Sequence, residues 1–167
     1  MGHKTEQGDV LYLALEDSKR RIKDRVIKMG EDKSKHPTIL LADEIPYLGF
    51  GFEESIERWI EDSENPRLII IDTLARIKPR QGKKSGTAYD LDNELLNKLQ
   101  TIAIQKNITI AFVTHLSKQS TDYSWDRIQG SVGMQGMTDA MWLIDRGETA
   151  KNASITGRGR DIVDFEY

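Results

Sequence analysis

Polar residues stand at the ends of three apolar runs in this chain, and they are the first candidates for chemistry. Glu16 follows VLYLAL, Asp72 follows LIII, and His115 follows ITIAFVT. In open α/β sheets, ligands bind at the carboxyl ends of the strands. One such edge would here hold a carboxylate that acts as a base, a carboxylate for a metal ion and a polar group that senses the substrate. We therefore expect the three residues to share one site.

The stretch around Asp72, RLIIIDTLARIKPR, has the form in which α/β proteins present a carboxylate to nucleotide-bound Mg²⁺. In P-loop ATPases the other half of such a site is a Gly-x-x-x-x-Gly-Lys-Ser/Thr loop that binds phosphate. The 167 residues contain no such motif. The stretch QGKKSG, 81–86, has the wrong spacing and follows the Asp72 strand, so we interpret it as a flexible loop.

The elements that must position these residues alternate between strands and helices. Apolar runs predict strands over 10–15, 38–42, 68–72, 108–114 and 141–145, and helical spacing predicts helices over 19–29, 52–62 and 91–106. This alternation is typical of an α/β fold with a mostly parallel sheet covered by helices. Segments 153–158 and 162–167 predict a C-terminal antiparallel hairpin. Trp59 and Trp142 lie among apolar residues and are expected in the core.

Composition sets limits on the function. The net charge is −3, so any nucleic-acid binding has to come from local clusters of basic residues. The chain contains no cysteine, which excludes disulfides and thiolate metal sites and is consistent with a cytoplasmic protein. No apolar run approaches the roughly 20 residues of a membrane span, so we expect no membrane contact.

Four stretches of the chain resemble, in order, successive motifs of RecA-like ATPases. They are DVLYLALEDSKRRIKDRV, LIIIDTLARIKP, IAFVTHLSK and DRIQGSVGMQGMTDAMWLIDR. The branch with the strongest resemblance is that of the RepA-type hexameric replicative helicases and their DNA-repair relatives, and it covers about Asp9 to Tyr167. The resemblance implies a single RecA-like domain over 1–167, ATP and Mg²⁺ as ligands, and a homo-oligomeric ring such as a hexamer.

The resemblance also implies roles for individual residues. Glu16 matches the catalytic glutamate that activates water, and Asp72 matches the Walker B aspartate, which holds Mg²⁺ through water, with Thr73 beside it. His115 lies where the family has a polar sensor of the γ-phosphate. Arg158 and Arg160 match the basic pair that reaches the nucleotide of the neighbouring subunit, a role that suits the planar, permanently charged guanidinium.

In that family the phosphate-binding loop comes immediately before the segment that begins here near Gly8. We therefore expect the 167 residues to be a truncated domain that lacks the P-loop strand and helix. Because backbone N–H groups of that loop supply most of the triphosphate binding, little or no ATP turnover is expected from these residues alone.

Two segments are candidates for single-stranded DNA binding, because family members line their central channel with loops at these positions. The first follows Asp72 and is rich in basic residues, and the second lies at about 117–131, where basic and aromatic residues are mixed. Such a mixture suits electrostatic contact with phosphates and stacking on bases. The predicted contacts are Arg76, Lys78, Arg80, Lys83, Lys84, Lys118, Trp125 and Arg127. For Trp125, packing inside the protein remains an equal alternative.

Two other functions stay open at this point. The chain could be a non-catalytic RecA-like module that binds a protein partner or DNA. It could also be a Mg²⁺-dependent nuclease that uses clustered carboxylates, for which the candidates are Glu16, Asp43, Glu44 and Asp72. The nuclease is the weaker alternative, because no Lys or His is placed convincingly for that chemistry.

Overall fold

The computed structural model describes Lys4, Trp125, Ile128 and residues 6–28, 38–41, 44–79, 88–117, 136–146 and 152–167. The chain forms two compact units. The first comprises Met1–Ser85 and Lys98–Thr114, and the second comprises Gly86–Asn97 and His115–Tyr167.

A four-stranded parallel sheet is the centre of the first unit. Its strands are β1 (Asp9–Ala14), β2 (Thr38–Leu41), β3 (Pro66–Asp72) and β4 (Thr109–Phe112). They lie in the order β2-β1-β3-β4, and all three pairings are parallel. The two central strands carry most of the buried side chains, including Leu11, Leu13, Ile69 and Ile71, each 0% exposed. The apolar strands are thus explained by burial on both faces of the sheet.

The helices are α1 (Lys19–Lys28), α2 (Phe52–Asp62), α3 (Leu74–Ile77) and α4 (Ala88–Lys106). In α2 the buried residues Phe52, Ile56 and Ile60 recur every four positions and form the single apolar face that attaches this helix to the unit. The last part of α4, from Lys98 onward, belongs to the first unit, and its earlier part belongs to the second.

The turn that leads into α2 depends on two glycines and one carboxylate. Gly49 and Gly51 have φ angles of 73° and 107°, in the left-handed region that side chains with a Cβ rarely adopt. The Glu53 carboxylate accepts the N–H of Gly49 at 2.9 and 3.1 Å and lies 3.4 Å from Lys98 Nζ. Burial acts to raise the pKa of Glu53, but these hydrogen bonds and the lysine outweigh it and lower the pKa. The ionised carboxylate therefore ties the turn to α4.

The second unit contains a three-stranded antiparallel sheet in the order β5-β6-β7, formed by Ala140–Asp145, Ser154–Gly159 and Phe165–Glu166. The Phe165 ring lies over Gly157, where an added Cβ would collide with it. Trp142 is 70% exposed on β5, so the expectation that it lies in the core was wrong. Trp59 is half-buried.

The structure confirms the predicted fold class, an α/β fold with a parallel sheet and C-terminal antiparallel strands. The short helix α3 was not predicted, because four residues are too few to show a helical period. The strand predicted over 141–145 pairs with β6 in the antiparallel sheet. None of the described helices is long and apolar enough to cross a membrane. The single domain over 1–167 stays a prediction.

Candidate functional site

Strands β1 and β3 place Glu16 and Asp72 at the same edge of the parallel sheet. Asp72 is the last residue of β3 and pairs with Ala14, the last residue of β1. The N–H of Leu15 donates to the Asp72 carbonyl oxygen at 2.7 Å, so the pairing continues to the residue before Glu16. Because parallel strands end at a common edge, the two acids meet at the edge where such sheets bind ligands.

Thr73 connects the two strand ends. It is 2% exposed, and its hydroxyl donates to Glu16 Oε1 at 3.0 Å. Thr73 also precedes α3, but its side chain does not cap that helix. The peptide bond between Asp72 and Thr73 is cis. The buried threonine thus fixes the position of the Glu16 carboxylate relative to the end of β3.

Arg76 is a second partner of the Glu16 carboxylate. Its Nε lies 3.3 Å from the same oxygen, Oε1, and the two side chains are 57% and 36% exposed. The backbone of α3 around Arg76 is held at both ends. The N–H of Leu74 donates to the carbonyl of Val113, and the N–H of Leu48 donates to the carbonyl of Ile77, both at 2.9 Å. The site therefore contains a guanidinium on a fixed backbone, with an exposed side chain.

Tyr12 binds Asp72 and was missed by the sequence analysis. Its phenol donates to Asp72 Oδ2 at 2.8 Å from β1, the neighbouring strand. Ala14, directly opposite Asp72, has only a methyl group, so the longer Tyr12 side chain reaches across from two residues earlier. Burial, together with the bond to Asp72, raises the pKa of Tyr12 to about 12. The phenol is thus a donor over the whole physiological pH range.

Asp17 orders the segment that follows Glu16. Its carboxylate, 10% exposed, pairs with Arg25 and lies 3.3 Å from Arg21 Nε, both on α1. Ser18 accepts the N–H of Arg21 at 3.4 Å, in agreement with the predicted start of this helix. These contacts fix the chain direction immediately after Glu16.

The residues at this edge fit Mg²⁺ with a bound nucleotide. Mg²⁺ prefers oxygen ligands, keeps several waters and commonly uses one or two carboxylates together with substrate phosphates. Asp72, with Thr73 beside it, offers this donor set. No group of three or more metal-ligating side chains occurs in the described part of the chain. The nuclease alternative therefore gains no support, although one of its candidates, Asp43, lies outside the described residues.

The remaining residues of the predicted catalytic set belong to the second unit. His115 is exposed and follows β4 by three positions. Arg158 lies on β6 with its guanidinium 5.1 Å from the centre of the Trp125 ring. Arg160 donates to the Gly136 carbonyl at 2.6 Å and lies 3.6 Å from Asp139. The roles predicted for His115 and the two arginines stay predictions.

The predicted DNA contacts are only partly within the described structure. Arg76 pairs with Glu16, and Lys78 follows α3 and is half-buried. Trp125 is 8% exposed, as its packing alternative requires, and its contact with DNA stays a prediction. Five of the predicted contacts lie outside the described residues, namely Arg80, Lys83, Lys84, Lys118 and Arg127.

Comparison with known proteins identifies the family. A family model described as an AAA domain matches residues 1–121. Among solved structures, the ATPase domain of a replicative helicase superposes with a TM-score of 0.70 at 14% identity, over 95% of this chain and 69% of that chain. No curated protein sequence matches the chain. The similarity to this helicase domain confirms the RecA-like fold, and the match over 1–121 covers most of the sequence. The chain therefore belongs to the AAA domain family of P-loop ATPases, whose members bind ATP and Mg²⁺.

Proposed function

We propose that this chain is the core of an ATPase that couples ATP hydrolysis to the binding or translocation of single-stranded DNA. One observation carries the hydrolytic part of the proposal. Glu16 and Asp72 lie at adjacent strand ends, and Thr73 joins them through a 3.0 Å hydrogen bond to Glu16. A base and a metal-binding carboxylate at one sheet edge are the groups that phosphoryl transfer to water requires.

In this proposal Glu16 takes the proton of the attacking water. Thr73 and Arg76 both approach Oε1, so they orient the carboxylate through one of its two oxygens. A positioned general base of this kind accelerates a reaction by roughly 10²–10⁴. The buried Thr73 hydroxyl keeps the carboxylate in place while the proton moves.

Asp72 has a different task. Tyr12 holds its Oδ2, so Oδ1 is the oxygen we assign to water molecules around Mg²⁺. When bound, Mg²⁺ would neutralise charge on the phosphates during transfer. A carboxylate that is held by a neighbouring strand needs no rearrangement to take this role, which is the advantage of preorganised polar groups.

Single-stranded DNA is the proposed partner. The basic segment from Arg76 to Lys84 begins at α3, directly beyond Asp72, so a phosphate bound there would lie close in sequence to the hydrolytic residues. We further propose a ring of identical subunits, in which Arg158 and Arg160 of one subunit reach the nucleotide of the next and His115 senses the γ-phosphate. These roles rest on the family resemblance of the corresponding motifs.

Substitutions of the two acids test the hydrolytic part in a chain in which residues 1–167 are joined to a phosphate-binding loop and its helix. Glu16→Gln should abolish hydrolysis and leave ATP binding intact, because only the base is lost. Asp72→Asn should weaken Mg²⁺-dependent binding as well as turnover. Glu61→Gln, on the exposed face of α2, is the matched control and should change neither. Near-normal turnover by Glu16→Gln would refute the assignment of the base.

The salt dependence of DNA affinity tests the other part. Contacts with phosphates release counterions, so affinity should fall with a logarithmic slope of about −0.7 for each phosphate neutralised on a single strand. Replacing Lys83 and Lys84 by Ala should flatten this slope by roughly one to two units and weaken binding to all sequences alike. An affinity that ignored both salt and these substitutions would favour the non-catalytic module that binds a protein partner.

A further inference from the structure

We infer that Arg76 positions the Glu16 carboxylate and exchanges it for a phosphate of single-stranded DNA, so that DNA binding alters the environment of the base. The inference rests on the proposed function and adds the contact that couples its two parts. Arg76 was predicted from the sequence as a DNA contact, whereas in the structure its Nε lies 3.3 Å from Glu16 Oε1. One guanidinium thus belongs both to the basic segment and to the candidate hydrolytic site.

The exposure of the pair makes the exchange feasible. Arg76 and Glu16 are 57% and 36% exposed, and ion pairs in such surroundings contribute little to stability. A phosphate forms charge-assisted hydrogen bonds with a guanidinium as readily as a carboxylate does. Two anions on one exposed guanidinium would repel each other, so binding of a phosphate disfavours the contact with Glu16.

The backbone around Arg76 makes the exchange a side-chain movement. Arg76 lies between Leu74 and Ile77, which are 1% exposed each and whose backbones are hydrogen-bonded to neighbouring segments. These contacts hold α3 in place, while the long Arg76 side chain has several rotatable bonds. Only the guanidinium has to move from one anion to the other.

Thr73 keeps Glu16 in place after the exchange. Its hydroxyl donates to the same oxygen that faces Arg76, and the threonine is 2% exposed. The carboxylate therefore loses this cation but retains a fixed hydrogen bond. A carboxylate becomes a stronger base when an adjacent cation leaves, because a nearby positive charge favours the ionised form. DNA binding would in this way make Glu16 better suited to accept a proton from water.

Binding of a fluorescent single-stranded oligodeoxythymidylate to the 167-residue chain tests the exchange without any need for hydrolysis. If Glu16 and DNA compete for Arg76, Glu16→Gln should tighten binding by roughly two- to fivefold, the factor expected for an exposed ion pair. Arg76→Gln should weaken binding and flatten the salt slope by about 0.7. In the Arg76→Gln background, Glu16→Gln should have no further effect.

Two matched variants control for net charge. Glu61→Gln removes an acid that pairs with Lys106 on a different part of the first unit, and it should leave DNA affinity nearly unchanged. Arg67→Gln removes a comparably exposed arginine at the opposite end of β3, and it should weaken binding much less than Arg76→Gln.

The outcomes separate this inference from the proposed function. Wild-type chain that shows no salt-dependent binding would overturn the DNA contact itself. Salt-dependent binding that Glu16→Gln does not tighten would overturn the exchange alone. Equal tightening by Glu16→Gln with and without Arg76, or by Glu61→Gln, would trace the effect to net charge and also overturn the exchange.

Discussion

Replacing Tyr12 by Phe should lower the free energy of unfolding by about 1–2 kcal/mol. The change removes the phenol that donates to Asp72 at 2.8 Å and keeps the aromatic ring. Hydrogen bonds to charged groups contribute about 1.5–3 kcal/mol, and the partial exposure of both residues reduces this value. For a chain of 167 residues the loss corresponds to a fall in Tm of about 2–8 °C.

Urea denaturation of four proteins measures whether this loss comes from the bond to Asp72. They are the wild type, Tyr12→Phe, Asp72→Asn and the double variant, which together give the coupling energy of the pair. Tyr47→Phe, at a position 42% exposed, is the control and should stay within about 0.5 kcal/mol of the wild type. A Tyr12→Phe variant as stable as the wild type, or effects of the two substitutions that simply add, would refute the reasoning.

Three further predictions concern other parts of the chain. Because the folded-state pKa of Glu53 is lowered from 4.5, its ionised form contributes stability above this value that is lost as pH falls through the folded-state pKa. Glu53→Gln should thus cost about 1 kcal/mol at neutral pH, and urea titrations should show the difference from the wild type vanishing at strongly acidic pH; an unchanged difference there would contradict the assignment. Gly157→Ala should cost about 1–3 kcal/mol, because the new methyl group collides with the Phe165 ring, and equal urea midpoints would show that the ring moves aside freely. Calorimetry on the 167 residues should detect only weak binding of ATP with Mg²⁺, and an affinity tighter than about 1 μM would reveal a phosphate site that the motif search missed.

The parallel sheet could be predicted because burial on both faces demands long apolar runs. The runs that end at Glu16 and Asp72 mark β1 and β3 within two residues, and polar residues at their ends indicate the edge that binds ligands. The sequence does not reveal that these two strands are neighbours, since this depends on their pairing in the sheet. The family resemblance, and not the periodicity, supplied the individual roles of the two acids.

Side-chain partners could not be predicted in the same way. Tyr12 occupies an ordinary strand position, and only the register of β1 on β3 brings it to Asp72. Arg76 was predicted by its charge alone, and its pairing with Glu16 depends on α3, which is too short to leave a periodic pattern. Trp142 shows the opposite error, because an apolar strand context does not tell which face of a sheet is covered.

The central claim is that hydrolysis at Glu16 and Asp72 is coupled to single-stranded DNA. The most direct measurement is the rate of ATP hydrolysis with and without single-stranded DNA, in residues 1–167 joined to a phosphate-binding loop and its helix. The account predicts that DNA stimulates hydrolysis, that Arg76→Gln removes the stimulation, and that Glu16→Gln abolishes hydrolysis under both conditions. Hydrolysis that proceeds at the same rate with and without DNA, or that survives Glu16→Gln, would contradict it.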